Sequence, residues 1–210
     1  MLFTSFEKFI KKKRGAIHVG ANDGAERVWY IKQGFERVLW FEPNEELFKK
    51  LIKNIKEKGC EKHKAFNVGI HDIIEKTDLH IANNNGLSSS ILELGTHKEH
   101  HPKVHYVRNQ EINLMRMDSF FKNTSNKIED FNFLNVDVQG VELNVIKSFG
   151  SLISKLDYIY TEVNEEELYV GCELVGEIDA YLKQFEFEKV AAHMTRHKWG
   201  DAFYVKKNLL

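Results

Sequence analysis

Cysteine and proline are almost absent from this chain, with two of each in 210 residues. Cys60 and Cys172 lie far apart and without metal-ligand spacing. That excludes a disulfide framework and points to free thiols in a reducing compartment. Pro43 and Pro102 mark no linker, and neither a repeat nor a low-complexity tract divides the chain. Residues 1–210 therefore read as one domain, long enough to bury a substantial core. An excess of charge is missing too. The formal net charge is −1, so nothing draws the chain as a whole toward nucleic acid or an anionic membrane. No apolar run approaches the ~20 residues that cross a bilayer. The opening Met1-Leu2-Phe3-Thr4-Ser5-Phe6-Glu7-Lys8 carries an acid and a lysine where a secretory leader needs an unbroken apolar core. The expected setting is the cytoplasm.

What is present is an ordinary globular balance, 42% hydrophobic and 29% charged. Apolar runs alternate with helical patterns, which argues for an α/β sheet covered on both faces. Strands are expected near residues 16–19, 38–41, 65–70, 133–138, 158–163, 187–192 and 202–205. Helices are expected near 25–33, 45–58, 141–149 and 174–184. Gly34, Gly59 and Gly150 stand where left-handed helix caps are cheapest, and Asn44 can cap the second helix. Lys11-Lys12-Lys13-Arg14 reads as the basic end of a short helix over 1–14, built on Leu2, Phe3, Phe6, Phe9 and Ile10, in preference to a nuclear address. Residues 72–126 read as an irregular insertion over the site, with strand-like pieces at 78–82 and 104–108 and a polar loop at 83–90.

The chemistry gathers at strand ends. Ile17-His18-Val19-Gly20-Ala21-Asn22-Asp23-Gly24 takes an apolar run into a glycine turn and then a helix. The next apolar run ends at Trp40-Phe41-Glu42-Pro43, at about the spacing that separates a nucleoside-binding turn from its ribose-gripping acid. Gly20 would let the backbone pass close to a ligand, and Gly24 would let the helix start close to the strand. A dinucleotide needs a third glycine near its pyrophosphate, and here Asp23 would repel that anion. The sulfonium and amino groups of S-adenosylmethionine suit the same field. A third run, Phe133-Leu134-Asn135-Val136-Asp137-Val138-Gln139-Gly140-Val141-Glu142, ends in Asp137 and turns into a helix.

These pieces, with Asn67-Val68-Gly69-Ile70 and Ser88-Ser89-Ser90, carry a resemblance to the FkbM family of S-adenosylmethionine-dependent methyltransferases. The resemblance implies a single doubly wound, Rossmann-like class I methyltransferase fold: a mostly parallel seven-stranded sheet with an antiparallel last strand. It implies O-methylation, most often of a sugar or glycan hydroxyl. The cofactor cradle it implies comprises His18, Gly20, Ala21, Asn22, Asp23, Gly24, Glu42, Pro43, Gly69, Ile70, His71, Ser88, Ser89, Asp137 and Gln139. His18 departs from the family, where many relatives carry an acid that anchors the methionyl part of the cofactor. Asp23 or Asp137 would take that contact over, leaving His18 as a packed strand residue bonded to backbone.

The acceptor hydroxyl must also lose its proton, for which Asp137, Glu162 and His193 are the candidate catalytic groups. A divalent metal, Mg or Mn, held by the oxygen donors Asp137, Glu162 and Asn164 is an alternative route to the same end. Trp199 could stack on a sugar face while His193 or Arg196 donates hydrogen bonds. His97, His100, His101 and His105 read as a solvated loop rather than a zinc site. Two other functions compete: a non-catalytic S-adenosylmethionine-binding partner protein, and a nicotinamide-dependent oxidoreductase.

Overall fold

The computed structural model describes residues 6–57 and 59–210. Its strands are β1 (Gly15–Val19), β2 (Arg37–Phe41), β3 (Lys62–Phe66), β4 (Gly69–Ile70), β5 (Lys76–Ala82), β6 (Tyr106–Met115), β7 (Phe133–Val136), β8 (Tyr158–Asn164), β9 (Phe187–Met194) and β10 (Trp199–Lys206). Its α-helices are α1 (Arg27–Gln33), α2 (Glu45–Asn54), α3 (His97–His100), α4 (Met117–Asn123), α5 (Glu142–Lys147) and α6 (Val175–Lys183). Seven strands form one sheet in the order β3-β2-β1-β7-β8-β10-β9. β10 runs antiparallel to both its neighbours, and the other pairs are parallel. This is the Rossmann-like arrangement expected from the sequence.

The central strands β1, β7 and β8 are buried at every residue, as parallel strands covered on both faces must be. Alternate side chains divide the core in two. Ile17, Val19, Leu134 and Val136 pack with Met117, Phe120, Leu143, Ile146, Ile178 and Leu182 on the face covered by α4, α5 and α6. Ala16, Val38, Trp40 and Phe133 pack with Tyr30, Phe35 and Leu51 on the face covered by α1 and α2. Strand order reverses between β1 and β7, so the crevice beyond their carboxyl ends is where such sheets bind ligands.

Several expected elements differ. The run at 65–70 splits: β3 stays in the main sheet, while β4 joins a three-stranded sheet, β4-β6-β5. The segment 72–126 is thus less irregular than its sequence implies, since β6 is a ten-residue strand paired along β5 and α4 follows it. Leu79, Ile81, Ile112 and Leu114 form that sheet's own small core. The expected helix over 1–14 lies in part outside the described residues, and the rest holds only a 3-10 turn, Glu7–Phe9. α2 ends at Asn54, capped at its start by Asn44, whose side chain accepts from the Glu46 and Leu47 amides. Gly34 caps α1 in the left-handed conformation, whereas Gly59 and Gly150 lie beyond the ends of α2 and α5.

Candidate active site

The first site residue is shaped by a steric demand. Gly20 has φ +80°, and a Cβ there would stand 1.7 Å from the Asp137 carbonyl oxygen. The amides of Gly20 and Ala21 both donate to the Phe41 carbonyl, and the Asp137 amide donates to that of Val19. The glycine therefore brings three strand ends together rather than making room for a ligand. Gly24 has a parallel reason: its missing Cβ accommodates Leu51 of α2 at 2.5 Å, not strand β1.

Around this knot lies a cavity of about 530 Å³. Of the cradle residues expected from the sequence, His18, Gly20, Asn22, Asp23, Glu42, Pro43, Gly69, Ile70, His71, Ser89, Asp137 and Gln139 line it. Glu42 and Asp137 thus open onto one space. Ala21 and Gly24 do not line it: Ala21 packs in the core beside Tyr30 and Trp40, and Gly24 packs on Leu51. Ser88 faces a neighbouring cavity instead. The second sheet contributes Leu79, Ile112 and Leu114 as an apolar wall that single-strand patterns did not foretell.

Glu42 is nearly enclosed, and its two carboxyl oxygens accept from the Asn22 amide at 2.7 Å and the Asn44 amide at 2.8 Å. Burial pushes its carboxyl up to about 7, against the pull of those two donors. Glu42 lines the cavity, and each of its oxygens retains a lone pair beyond those two contacts. His18 lies 1% exposed, with its Nδ1 3.2 Å from the Tyr30 hydroxyl and its ring stacked on Trp40. Asn135 also lies within hydrogen-bond reach. Its partners are side chains, not the backbone expected from the sequence. Burial lowers its pKa to about 3, so the ring is neutral and offers no charge to a ligand.

The second cavity, about 580 Å³, adjoins the first. Asp137, Gln139, Glu162, His193, Asp201, Tyr169 and Trp199 are on its walls. Register sets much of this wall: Glu162 pairs with Asp201 across β8 and β10, and Asp201 pairs with His193 across β10 and β9. His193 therefore belongs to β9 rather than following it, and Trp199 opens β10. Arg196 is exposed and lines neither cavity. Among the four clustered histidines, His97 is buried, its Nε2 3.1 Å from Ser88 Oγ, so the solvated-loop expectation fails for it.

Gln139 ties the two walls together. Its Nε2 donates to Asp137 at 2.7 Å and to Glu162 at 3.0 Å, while its Oε1 accepts from the Tyr169 hydroxyl at 2.6 Å. Its backbone carbonyl accepts from Ser90 Oγ, and its φ is +61°, a strained value for a side-chain-bearing residue. Glu142 clamps the same turn by accepting from the Val138 and Gly140 amides. Burial raises the carboxyls of Asp137, Glu142 and Glu162, and for Glu162 the charges of Asp137 and Glu142 add to the effect.

This network does not fit the metal set expected from the sequence. Gln139 places amide hydrogens between Asp137 and Glu162, and Asn164 is fully buried and lines neither cavity. Among the described residues no three His, Cys, Asp or Glu side chains converge on a point that could hold a metal ion.

Glu26, Asp201, Tyr169, Ser90 and Leu87 are site residues that sequence reasoning missed. Ser90 stood within the recognised serine motif, and Leu87 within the 83–90 loop expected to lie over the site. The others become neighbours only through strand order and loop packing.

A mostly parallel sheet with an antiparallel β10 inserted between β8 and β9, and its cleft beyond β1 and β7, defines a Rossmann-like methyltransferase fold. TrmK from M. capricolum, solved with S-adenosyl-homocysteine, is similar over 98% of this chain and 67% of its own, with TM-score 0.56 and 8% identity. Sp1610 from Streptococcus pneumoniae, solved with S-adenosyl-L-methionine, is similar over 97% of this chain and 71% of its own, with TM-score 0.55 and 10% identity. The chain belongs to the FkbM methyltransferase family, whose domain matches residues 18–189. The FkbM methyltransferase from Methylobacillus flagellatus KT superposes with TM-score 0.61 at 13% identity over 93% of this chain, which spans 44% of that longer protein. The 2-O-methyltransferase NoeI of Sinorhizobium fredii (strain NBRC 101917 / NGR234) is 26% identical over 192 residues, covering 88% of this chain and 76% of NoeI. Among the described residues no helix is long and apolar enough to cross a membrane.

Proposed function

We propose that this protein transfers a methyl group from S-adenosylmethionine to a hydroxyl of a sugar or glycan. The observation that carries this reading is the pair of adjoining cavities with a common border at Asp137 and Gln139. The first suits a nucleoside: a nearly enclosed carboxylate at Glu42, an apolar wall from the second sheet, and the β1 turn. S-adenosylmethionine, when bound, supplies an electrophilic methyl group on a positively charged sulfur. The second cavity suits a polyhydroxylated acceptor, with Glu162, Asp201 and His193 able to bond hydroxyls and Trp199 able to cover a ring face. NoeI, a 2-O-methyltransferase by name, supports an oxygen acceptor.

In this scheme the protein aligns the acceptor oxygen with the methyl carbon, which can supply much of the rate. The oxygen forms the new C–O bond while the C–S bond breaks with its electron pair on sulfur. The hydroxyl proton passes to the Asp137 carboxylate, whose raised pKa makes it a better base than an ordinary aspartate.

Isothermal calorimetry should detect S-adenosylmethionine binding and none of NADH, whose phosphates would approach Asp23. Labelled cofactor incubated with a panel of sugars and glycans should then label at least one, equally with and without chelator. Absence of binding at millimolar cofactor would end the reading.

A further inference from the structure

Four residues face both cavities: Glu26, Leu87, Asp137 and Gln139. A methyl group that leaves a donor in one cavity for an acceptor in the other must cross the strip they form. Asp137 and Gln139 come from the β7 turn. Glu26 comes from a different element, as the residue that precedes α1, and it belongs to none of the recognised motifs. It is half-buried, and its carboxyl takes a hydrogen bond from its own backbone amide and none from a side chain among the described residues. Asp137, by contrast, already holds the Gln139 amide. Burial, with Asp137 and Asp23 as negative neighbours, pushes the Glu26 carboxyl up to about 7. Such a group gains most from a positive charge set beside it and little from a neutral one.

Resting on the donor reading above, we propose that Glu26 is the carboxylate facing the positively charged sulfur of the donor. In that place it sets the preference for S-adenosylmethionine over S-adenosylhomocysteine, which is neutral at sulfur. The two molecules share adenosine, ribose, ammonium and carboxylate groups. They differ only in the methyl and its charge, so a residue that separates them must act at the sulfur. The consequence is a site that favours fresh donor over spent product through one side chain.

Calorimetric titration of each molecule into the wild-type protein, Glu26→Gln and Glu26→Asp tests this without an acceptor. Glu26→Gln should weaken S-adenosylmethionine by about five- to fiftyfold, the range for a partly screened charge pair, and S-adenosylhomocysteine by less than about twofold. Glu26→Asp, which withdraws the carboxylate by one methylene, should give an intermediate ratio. Equal weakening of both molecules, or no change in either, overturns the assignment. Circular dichroism reports whether Glu26→Gln folds. Should it not, an unchanged ratio in Glu26→Asp overturns the assignment on its own. Failure of the wild-type protein to bind either molecule overturns the donor reading itself, and Glu26 with it.

Discussion

At the scale of single residues, the site is held by contacts that tolerate almost no substitution. Gly20 combines a positive φ with a missing Cβ where the Asp137 carbonyl lies 1.7 Å away. Gly20→Ala should cost about 2–4 kcal/mol, measured by urea denaturation, because both the backbone strain and the clash must be relieved. Asp137 is different, since its side chain faces open space in both cavities. Asp137→Ala should leave the fold intact by circular dichroism and reduce methyl transfer by about a hundredfold or more, the usual worth of a positioned base. These two positions were legible in the sequence because each sits inside a motif with fixed spacing. Glu26 was not, since a lone glutamate at a helix start reads as a favourable charge for the helix dipole. His18 was legible as packed, but its partners Tyr30 and Asn135 come from elements 12 and 117 residues away and no local pattern names them.

Elements act here mainly through their ends. The turn from β7 into α5 carries Asp137 and Gln139, and Glu142 fastens it by accepting from two amides within it. Glu142→Ala should cost about 1–3 kcal/mol in a thermal melt, the penalty for leaving buried donors unpaired. Because the turn sets Asp137, the same variant should weaken S-adenosylmethionine binding measurably, although Glu142 lines neither cavity. Strands β1, β2, β7 and β8 were readable as continuous apolar runs, which is how doubly covered parallel strands must look. β6 was not. The strand-like piece at 104–108 overlaps only its first three residues; polar residues dominate 109–115, where only Ile112 and Leu114 are buried, too few to set a pattern. The share of the first cavity's apolar wall that Ile112 and Leu114 supply was correspondingly invisible.

The molecule as a whole concentrates acids where it concentrates chemistry. Glu26 and Glu42 are pushed up to about 7, and Asp137, Glu142, Glu162 and Asp201 are raised in the same direction by burial. A carboxyl raised on folding contributes stability at low pH that is lost as pH climbs through its folded value. Buried His18, lowered to about 3, works oppositely, and its contribution is lost as pH falls below about 6.5. His18 opposes the acids only at the lower end of the range from pH 6 to 8, and the raised acids outnumber it, so the melting temperature of the free protein should fall across that range as they ionise. A cationic ligand favours the ionised acids, so the upward shift in melting temperature with S-adenosylmethionine should be larger at pH 8 than at pH 6. Scanning calorimetry at the two pH values checks both statements, and a flat or rising profile for the free protein would contradict the first.

Glu162, Asp201 and His193 stand side by side on three neighbouring strands, held in line by ladder pairing and touching only the second cavity. A change at Glu162 would release the Gln139 amide that also holds Asp137, whereas Asp201 and His193 can be rewritten one letter at a time without touching the first cavity. Diversification of acceptors within this scaffold, whether by natural drift or in a directed library, has its cheapest route there.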